Sequence, residues 1–468
     1  MKNQKGVLKA VALFMTIMIA VLGLASCGKD STKNKDGKTI VSVGSWPKKN
    51  GPDLELHEQW KKDFEASNSD IAIEPDSWNF ELKTFYAKAT GGQLPTLYNA
   101  FFTEFSQIVD SAYAADLTDA IKKYDLEDKF ADNIKNAVSK DGKIYAFPYN
   151  PYVLGLGYNT ELFEKAGLME EDGTPMQPKN WDEVAEFAVK IKNATGKPGM
   201  VFPTASNYGG WMFTTVARSF GTEFMKKDKN DKWRATFDSP EAATALQYIK
   251  DLKWKYDVLP ANTLIDGTEY YKTYATGNAA MLMCAGDFTG RVVQYGMTPD
   301  KVGIMAMPAG PKRHVTLLGG GIRCVNPEAT KEQIDGAVRW CIARGPHKLT
   351  DEAKQSIESQ LKKDLEENKL IGIKNMTVWN GSTDAVEYEH NLIDKYSNAN
   401  PNHVRLYNEF VKSDVEIQPE EPVCAQELYS ILDSCLQKVL SDPDADVKDV
   451  LKKANNDFQV NYLNNVDY

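Results

Sequence analysis

The sequence predicts an α/β protein built as two similar lobes. Three observations carry that prediction. The chain is 468 residues long, short strand-like segments alternate with amphipathic helical ones, and the alternation holds in both halves. At roughly 100–200 residues per domain, this length calls for two or three domains or two large lobes. Strand–helix–strand repetition implies a parallel sheet with helices on both faces.

Thr39 to Val43 reads as the first strand, and Leu56, Trp60 and Phe64 mark one face of the helix after it. Ile71 to Glu74 is a second strand, Phe80 to Thr90 a second helix, and Thr96 to Ala100 a third strand. Past the Asp141-Gly142 turn the pattern resumes. Asn180 followed by Glu183 resembles a capping box, after which Trp181, Val184, Ala185, Ala188 and Ile191 recur at helical spacing. Ser239-Pro240 starts another helix with a cap and a proline in its first turn; Ala242, Ala245, Leu246, Ile249 and Leu252 form its buried stripe. Two helices close the chain, one with Leu428, Leu432, Cys435, Leu436 and Val439 inward, the other with Val447, Val450, Leu451, Ala454 and Phe458. No short-period repeat is visible.

Hydrophobic residues make up 42% of the chain and charged ones 26%, enough for a packed core. Lys and Arg number 55 against 65 Asp and Glu, a net charge of −10. An acidic surface argues against a nucleic-acid partner, whose phosphates need a basic face.

The first segment is a secretory signal. Lys2, Lys5 and Lys9 form its positive end, and the uncharged run Ala10 to Leu24 is shorter than the roughly 20 residues a membrane-spanning helix needs. It ends in Leu24-Ala25-Ser26-Cys27, which resembles the bacterial lipobox. That resemblance implies cleavage after residue 26 and a diacylglyceryl group on the Cys27 sulfur. Two acyl chains make a stable anchor, and the polar stretch from Gly28 to Gly37 suits a flexible tether. The mature protein is then expected outside the cell, held to the bacterial membrane by lipid alone.

Five cysteines remain. Cys284 sits in an apolar run, and Cys341 and Cys435 lie on apolar helical faces, the pattern of buried thiols rather than of a disulfide framework. Cys424 and Cys435 on one helix would stand roughly 16 Å apart along its axis, far beyond the reach of a disulfide.

No catalytic constellation stands out in the sequence. The five histidines, His57, His314, His347, His390 and His403, form no His-Glu-x-x-His motif, and no Gly-x-Ser-x-Gly elbow occurs. Asp442, Asp444 and Asp446 imitate the start of a calcium loop, but Val447 and Lys453 stand where that loop needs Gly and Glu; a helix start fits better. Gly319-Gly320-Gly321 lacks the residues of a phosphate loop, and its plainer role is close backbone approach to another segment or a ligand. With 65 acids an acid pair for glycoside hydrolysis is always available, so an extracellular glycan-active enzyme stays open on residues alone. No catalytic group, metal site or cofactor is expected.

A family pattern adds to this. Asp141 to Tyr149 (DGKIYAFPY) and Leu156 to Leu168 (LGYNTELFEKAGL) closely resemble family 1 extracellular solute-binding proteins, the sugar-binding proteins of bacterial ABC importers. Pro178 to Glu183, Tyr274 to Met281, Gly286-Asp287-Phe288, Pro308 to Pro311 and Gly319 to Ile322 follow in the family's order. The resemblance runs from about residue 38 to 345, with the two final helices fitting as well. Thr96 departs from the Asp that members often carry, and residues 346–400 diverge.

The resemblance implies a type II periplasmic-binding-protein-like fold, with a ligand cleft between two lobes joined by a hinge. Crossings are expected near Tyr149 to Pro151, near Gly319 to Gly321, and within 376–400. Residues 38–148 and 322–375 would form the N-terminal lobe, and 149–321 with 376–468 the C-terminal lobe. Ligands of open α/β sheets lie beyond the carboxyl ends of the strands. Cleft contacts are therefore expected from Trp46, Trp78, Asn79, Phe102, Thr103 and Glu104, and from Tyr149 and Asn150 at the first crossing. Trp211, Asp287, Phe288, Gly320 and Trp379 would contribute from the second lobe and hinge. Rings can pack on the apolar face of a sugar while Asn, Asp and Glu bond its hydroxyls. Trp60, Trp181, Trp254 and Trp340 read as packing residues. The expected function is capture of a carbohydrate, an oligosaccharide, by a monomeric receptor that delivers it to the transmembrane subunits of an ABC permease. A polyamine, peptide or phosphate-ester ligand is the alternative on the same scaffold.

Overall fold

The structure, a computed structural model, describes residues 32–49, 51–344, 349, 351–380 and 383–466. Cys27 and the leader lie outside the described residues.

Strand β1 (Thr39–Val43) buries Thr39, Val41 and Val43 by strict alternation. It pairs in parallel with β2 (Ile71–Pro75), whose closing proline suits the sheet edge it occupies. Parallel pairing at Val43 and Leu97 adds β3 (Leu97–Phe101). Each of these strands is within a residue of its sequence-predicted limits. Residues before β1 correct the expected tether: Ile40 donates to the Thr32 carbonyl at 2.9 Å, and the Asn34 side chain accepts from the backbone of Asp36 and Lys38. That Asx turn folds Thr32–Gly37 back on the sheet.

Two strands unite the molecule. β4 (Ala146–Asn159) runs for 14 residues, and β7 (Val315–Val325), 11 residues long, lies antiparallel beside it. One end of β7 pairs with β3. Beyond the crossing, β4 pairs with β5 (Met281–Ala285) and β6 (Val302–Met305), and β7 with β8 (Glu416–Gln418). The result is one eight-stranded sheet.

Two hydrophobic cores flank the crossing. The first holds Val41, Ile73, Tyr98, Phe147, Ile322 and Trp340. The second holds Leu154, Tyr158, Trp181, Leu246, Met283, Leu432 and Phe458. We call the bodies around them the first and second lobes. The chain also passes between the cores from Ile373, in the second, to Val378, Trp379 and Val386 in the first, and back to Val404 in the second. Trp379 thus corrects an expectation. Residues from 376 onward are expected in the second lobe and 322–375 in the first, yet the Trp379 ring stacks on Phe130 at 5.2 Å in the first core, and Leu370 and Ile373 pack in the second.

Helix starts follow the sequence signals. Asn180 accepts from the Glu183 amide at 3.0 Å, and Ser239 from that of Ala242 at 3.2 Å. Glu183 turns back to the Lys179 amide, one residue before the cap. Asp446 caps the helix Val447–Asn461, in line with a helix-start role for the Asp442–Asp446 cluster. Cys284, Cys324, Cys341, Cys424 and Cys435 are all free thiols. Trp254 departs from the packing role: it is 43% exposed, with its Nε1 bonded to the Val439 carbonyl.

Candidate functional site

The crossing of β4 and β7 makes the floor between the lobes. A side-chain carbon on Gly319 would stand 2.2 Å from the Tyr152 ring, and one on Gly321 2.4 Å from the ring of Tyr149. Gly320 has φ +125°, a conformation open to glycine, and faces the Asn150 carbonyl. The three glycines let the two strands cross with Tyr149 and Tyr152 laid over one of them. Asn150 is exposed, but its Oδ1 accepts from the Gly321 amide at 2.6 Å, so this end of the side chain braces the hinge. The Arg323 guanidinium lies 4.4 Å over the Tyr149 ring.

The first lobe contributes the end of β3 and the turn after it. Phe101, opposite Gly321, is 53% exposed. Phe102 turns into the core, whereas Thr103 is half-buried and Glu104 is only 4% exposed. Sequence reasoning chose Phe102 and missed Phe101. The alternation that buries Tyr98 and Ala100 already turns residue 101 outward.

The second lobe answers with Trp211, on the helix Tyr208–Ser219. Its Nε1 donates to Glu420 Oε1 at 2.8 Å, and Tyr429 donates to Glu420 Oε2 at 2.9 Å. Thr103 of the first lobe also bonds the Glu420 carboxylate. Gln426 Nε2 reaches Glu104 Oε1 at 3.5 Å, and the Asn207 amide holds Gln426 in place. Burial raises the Glu420 carboxyl. Asp433 fixes this wall from behind: 5% exposed, it accepts from the backbone amides of Asn207 at 2.6 Å and Gly210 at 2.7 Å. The positive end of that helix is thus satisfied by the protein's own carboxylate.

Asp287 is open to solvent yet ringed by protein on its other sides, which raises its carboxyl; nearby Arg291 opposes the rise. Burial, with the charges of Glu420 and Asp287 acting on it, holds the Tyr152 phenol protonated. Tyr208 and Tyr271 share a 2.7 Å hydrogen bond, and Arg291 lies 5.3 Å over the Tyr271 ring.

Of the expected contacts, the structure brings Thr103, Glu104, Tyr149, Asn150, Trp211, Asp287 and Gly320 to the region between the lobes. Others are committed elsewhere. Trp46 is 4% exposed, stacked with Trp340 at 6.1 Å and bonded through Nε1 to Glu58. Trp78 is half-buried and stacks on Phe85 at 6.5 Å, with Asn79 exposed beside it. Phe288 is fully buried against Tyr274. Trp379 is 1% exposed in the first core, with no face left for a ligand. Glu420, Gln426, Glu427, Tyr152 and Tyr208 were missed; the Pro419-Glu420-Glu421-Pro422 loop between a strand and a helix was the one available signal.

The model of a family described as bacterial extracellular solute-binding protein matches residues 50–322. The arabinooligosaccharide-binding protein of Bacillus subtilis (strain 168) is 25% identical over 335 residues, covering 69% of this chain and 72% of that protein. The sn-glycerol-3-phosphate-binding periplasmic protein of Escherichia coli (strain K12) is 23% identical over 342 residues, 70% of this chain and 74% of that one. Among solved structures, the cyclic alpha-maltosyl-1,6-maltose binding protein of Arthrobacter globiformis matches with a TM-score of 0.64 at 23% identity, over 90% of this chain and 98% of its own. That likeness gives the fold.

Proposed function

Because this chain belongs to the bacterial extracellular solute-binding protein family, we propose that it captures an extracellular oligosaccharide between its lobes and delivers it to the transmembrane subunits of an ABC permease. The family is one of binding proteins, not enzymes. The observation that carries the sugar reading is that part-exposed rings, Phe101 opposite Gly321 at the crossing and Trp211 on the other lobe, occur together with hydrogen-bonding groups such as the solvent-open Asp287. Rings cover the apolar face of a pyranose or furanose, and carboxylates accept from its hydroxyls. The name of the Bacillus relative, an arabinooligosaccharide-binding protein, supports the same class.

The glycerol-phosphate relative raises a second reading, which the local charges disfavour. A phosphate needs cations or a free helix N-terminus. Here Asp433 takes the N-terminus of Tyr208–Ser219, and Arg291 sits beside Asp287. We further propose that the protein is monomeric and is anchored through lipid on Cys27, on the extracellular face of the membrane.

Calorimetry with arabinose, glucose and N-acetylglucosamine oligosaccharides, sn-glycerol-3-phosphate and spermidine tests the ligand class. A neutral oligosaccharide should bind in the micromolar range or tighter with weak salt dependence, since no ion pair is required. Binding of the phosphate ester or the polyamine alone, abolished by salt, would overturn the reading.

A further inference from the structure

The lobes touch directly at a point where negative charge is concentrated. Glu104, 4% exposed at the start of the first-lobe helix Phe105–Asp110, faces Glu420 from the loop after β8 and Glu427 from the helix Ala425–Ser441. Gln426 Nε2 donates to Glu104 Oε1 at 3.5 Å, and Thr103 bonds Glu420 beside it. Tyr86, from the helix Leu82–Thr90, and Cys424 face the same spot; both are held protonated by burial and by the acids around them. Arg218 acts on Glu420, but it is paired with Glu421, and no cation among the described residues acts on Glu104.

A carboxylate so placed resists ionisation. Burial contributes most, repulsion from Glu420 and Glu427 adds to it, and the Gln426 amide works the other way; together they lift Glu104 from 4.5 to about 7. Each of these contributions except the burial within its own lobe exists only while the lobes are together.

We propose that Glu104 is a proton-operated latch between the lobes: neutral, it lets the first lobe close on Gln426 and Glu420; ionised, it is repelled by Glu420 and Glu427, and the lobes part. The proposal concerns regulation of the interlobe site and rests on the reading that a solute is captured there. The sign follows from linkage. Closure raises the affinity of Glu104 for a proton, so closure is most favoured below the open-state value and weakens as pH rises from there to the closed-state value. If opening restores the ordinary 4.5, the closed-to-open ratio falls about tenfold from pH 6 to pH 8.

Small-angle scattering of the ligand-free protein from pH 8.5 to 5.5 tests the latch without any ligand. The radius of gyration should fall on acidification, with most of the change lying below about pH 7. Glu104→Gln, uncharged throughout and still able to accept from Gln426, should be compact at every pH. Glu420→Gln removes one repelling charge and should reduce the expansion seen at high pH. A parent radius that stays constant, or a transition that persists unchanged in the variants, overturns the latch; the second outcome would assign it to another group such as a histidine. The ligand panel run at pH 6 separates the two ideas. Sugar binding with a pH-independent radius keeps the receptor and removes the latch, whereas a Glu104-dependent radius without sugar binding does the reverse.

Discussion

Trp211 and Trp379 carry the same side chain into opposite surroundings. Trp211 is half-buried, tethered at one edge to Glu420, with Tyr208 5.4 Å away. Trp379 lies between Phe130 and Phe147, almost wholly out of solvent. Replacing each by alanine should therefore fail differently. Trp211→Ala should stay folded by circular dichroism and lose about 2 kcal/mol of sugar affinity, from roughly 25 cal/mol per Å² of lost apolar contact, close to thirtyfold. Trp379→Ala should lose about 3–5 kcal/mol of stability in a denaturant titration, the usual cost of emptying a core site of that size. Equal affinity in Trp211→Ala would remove that ring from the site; unchanged stability in Trp379→Ala would contradict its packing. The sequence could not separate the two. Trp211 lies on a helix buried along nearly its whole length, and Trp379 in an irregular stretch, so in neither does periodicity mark the inner side. Glu104 and Glu420 were harder still, because their meeting depends on how two separately folded cores approach each other.

At the scale of elements, the glycine run in β7 shows why a close crossing needs missing side chains. Two long strands can pass from lobe to lobe side by side only if one of them yields room to the tyrosines of the other. Gly320→Ala would place a methyl group against the Asn150 carbonyl in a backbone conformation that L-residues rarely adopt. A loss of about 2 kcal/mol or more in stability is expected from the strain, measurable by thermal or denaturant unfolding. A neutral substitution would mean that the hinge backbone relaxes freely. Local patterning revealed most elements, since strand alternation, helix stripes and caps are all short-range features. It missed β8, three residues long and held in place by the Arg313 ion pair with Glu416 and by pairing with β7. The second helix also starts at Leu82 rather than Phe80, because Phe80 packs outside it against Phe85 and Phe101.

Over the whole molecule, the family resemblance carried more than the residues alone. The α/β class and the existence of two cores were legible in patterning, but the cleft required knowing which strand ends meet. Among the described residues no helix is long and apolar enough to cross a membrane, and the proposed attachment is through lipid on Cys27. Cys27→Ala should shift the protein from the membrane fraction to the medium, or leave it unprocessed, when cells are fractionated and blotted. A processed Cys27→Ala protein that stays with the membrane would overturn the lipid anchor. The shared sheet has a further consequence, for export. Strand β3 finds its antiparallel neighbour only in Gly321–Val325, on the order of two hundred residues later, and Trp340 comes after that. A chain emerging from a membrane pore with its amino end first therefore presents β1, β2 and β3 long before their sheet can be completed. Contacts so distant in sequence form slowly. The same strands that hold the lobes together thus keep the first lobe unfinished, and open to misassembly, until most of the polypeptide has reached the outside.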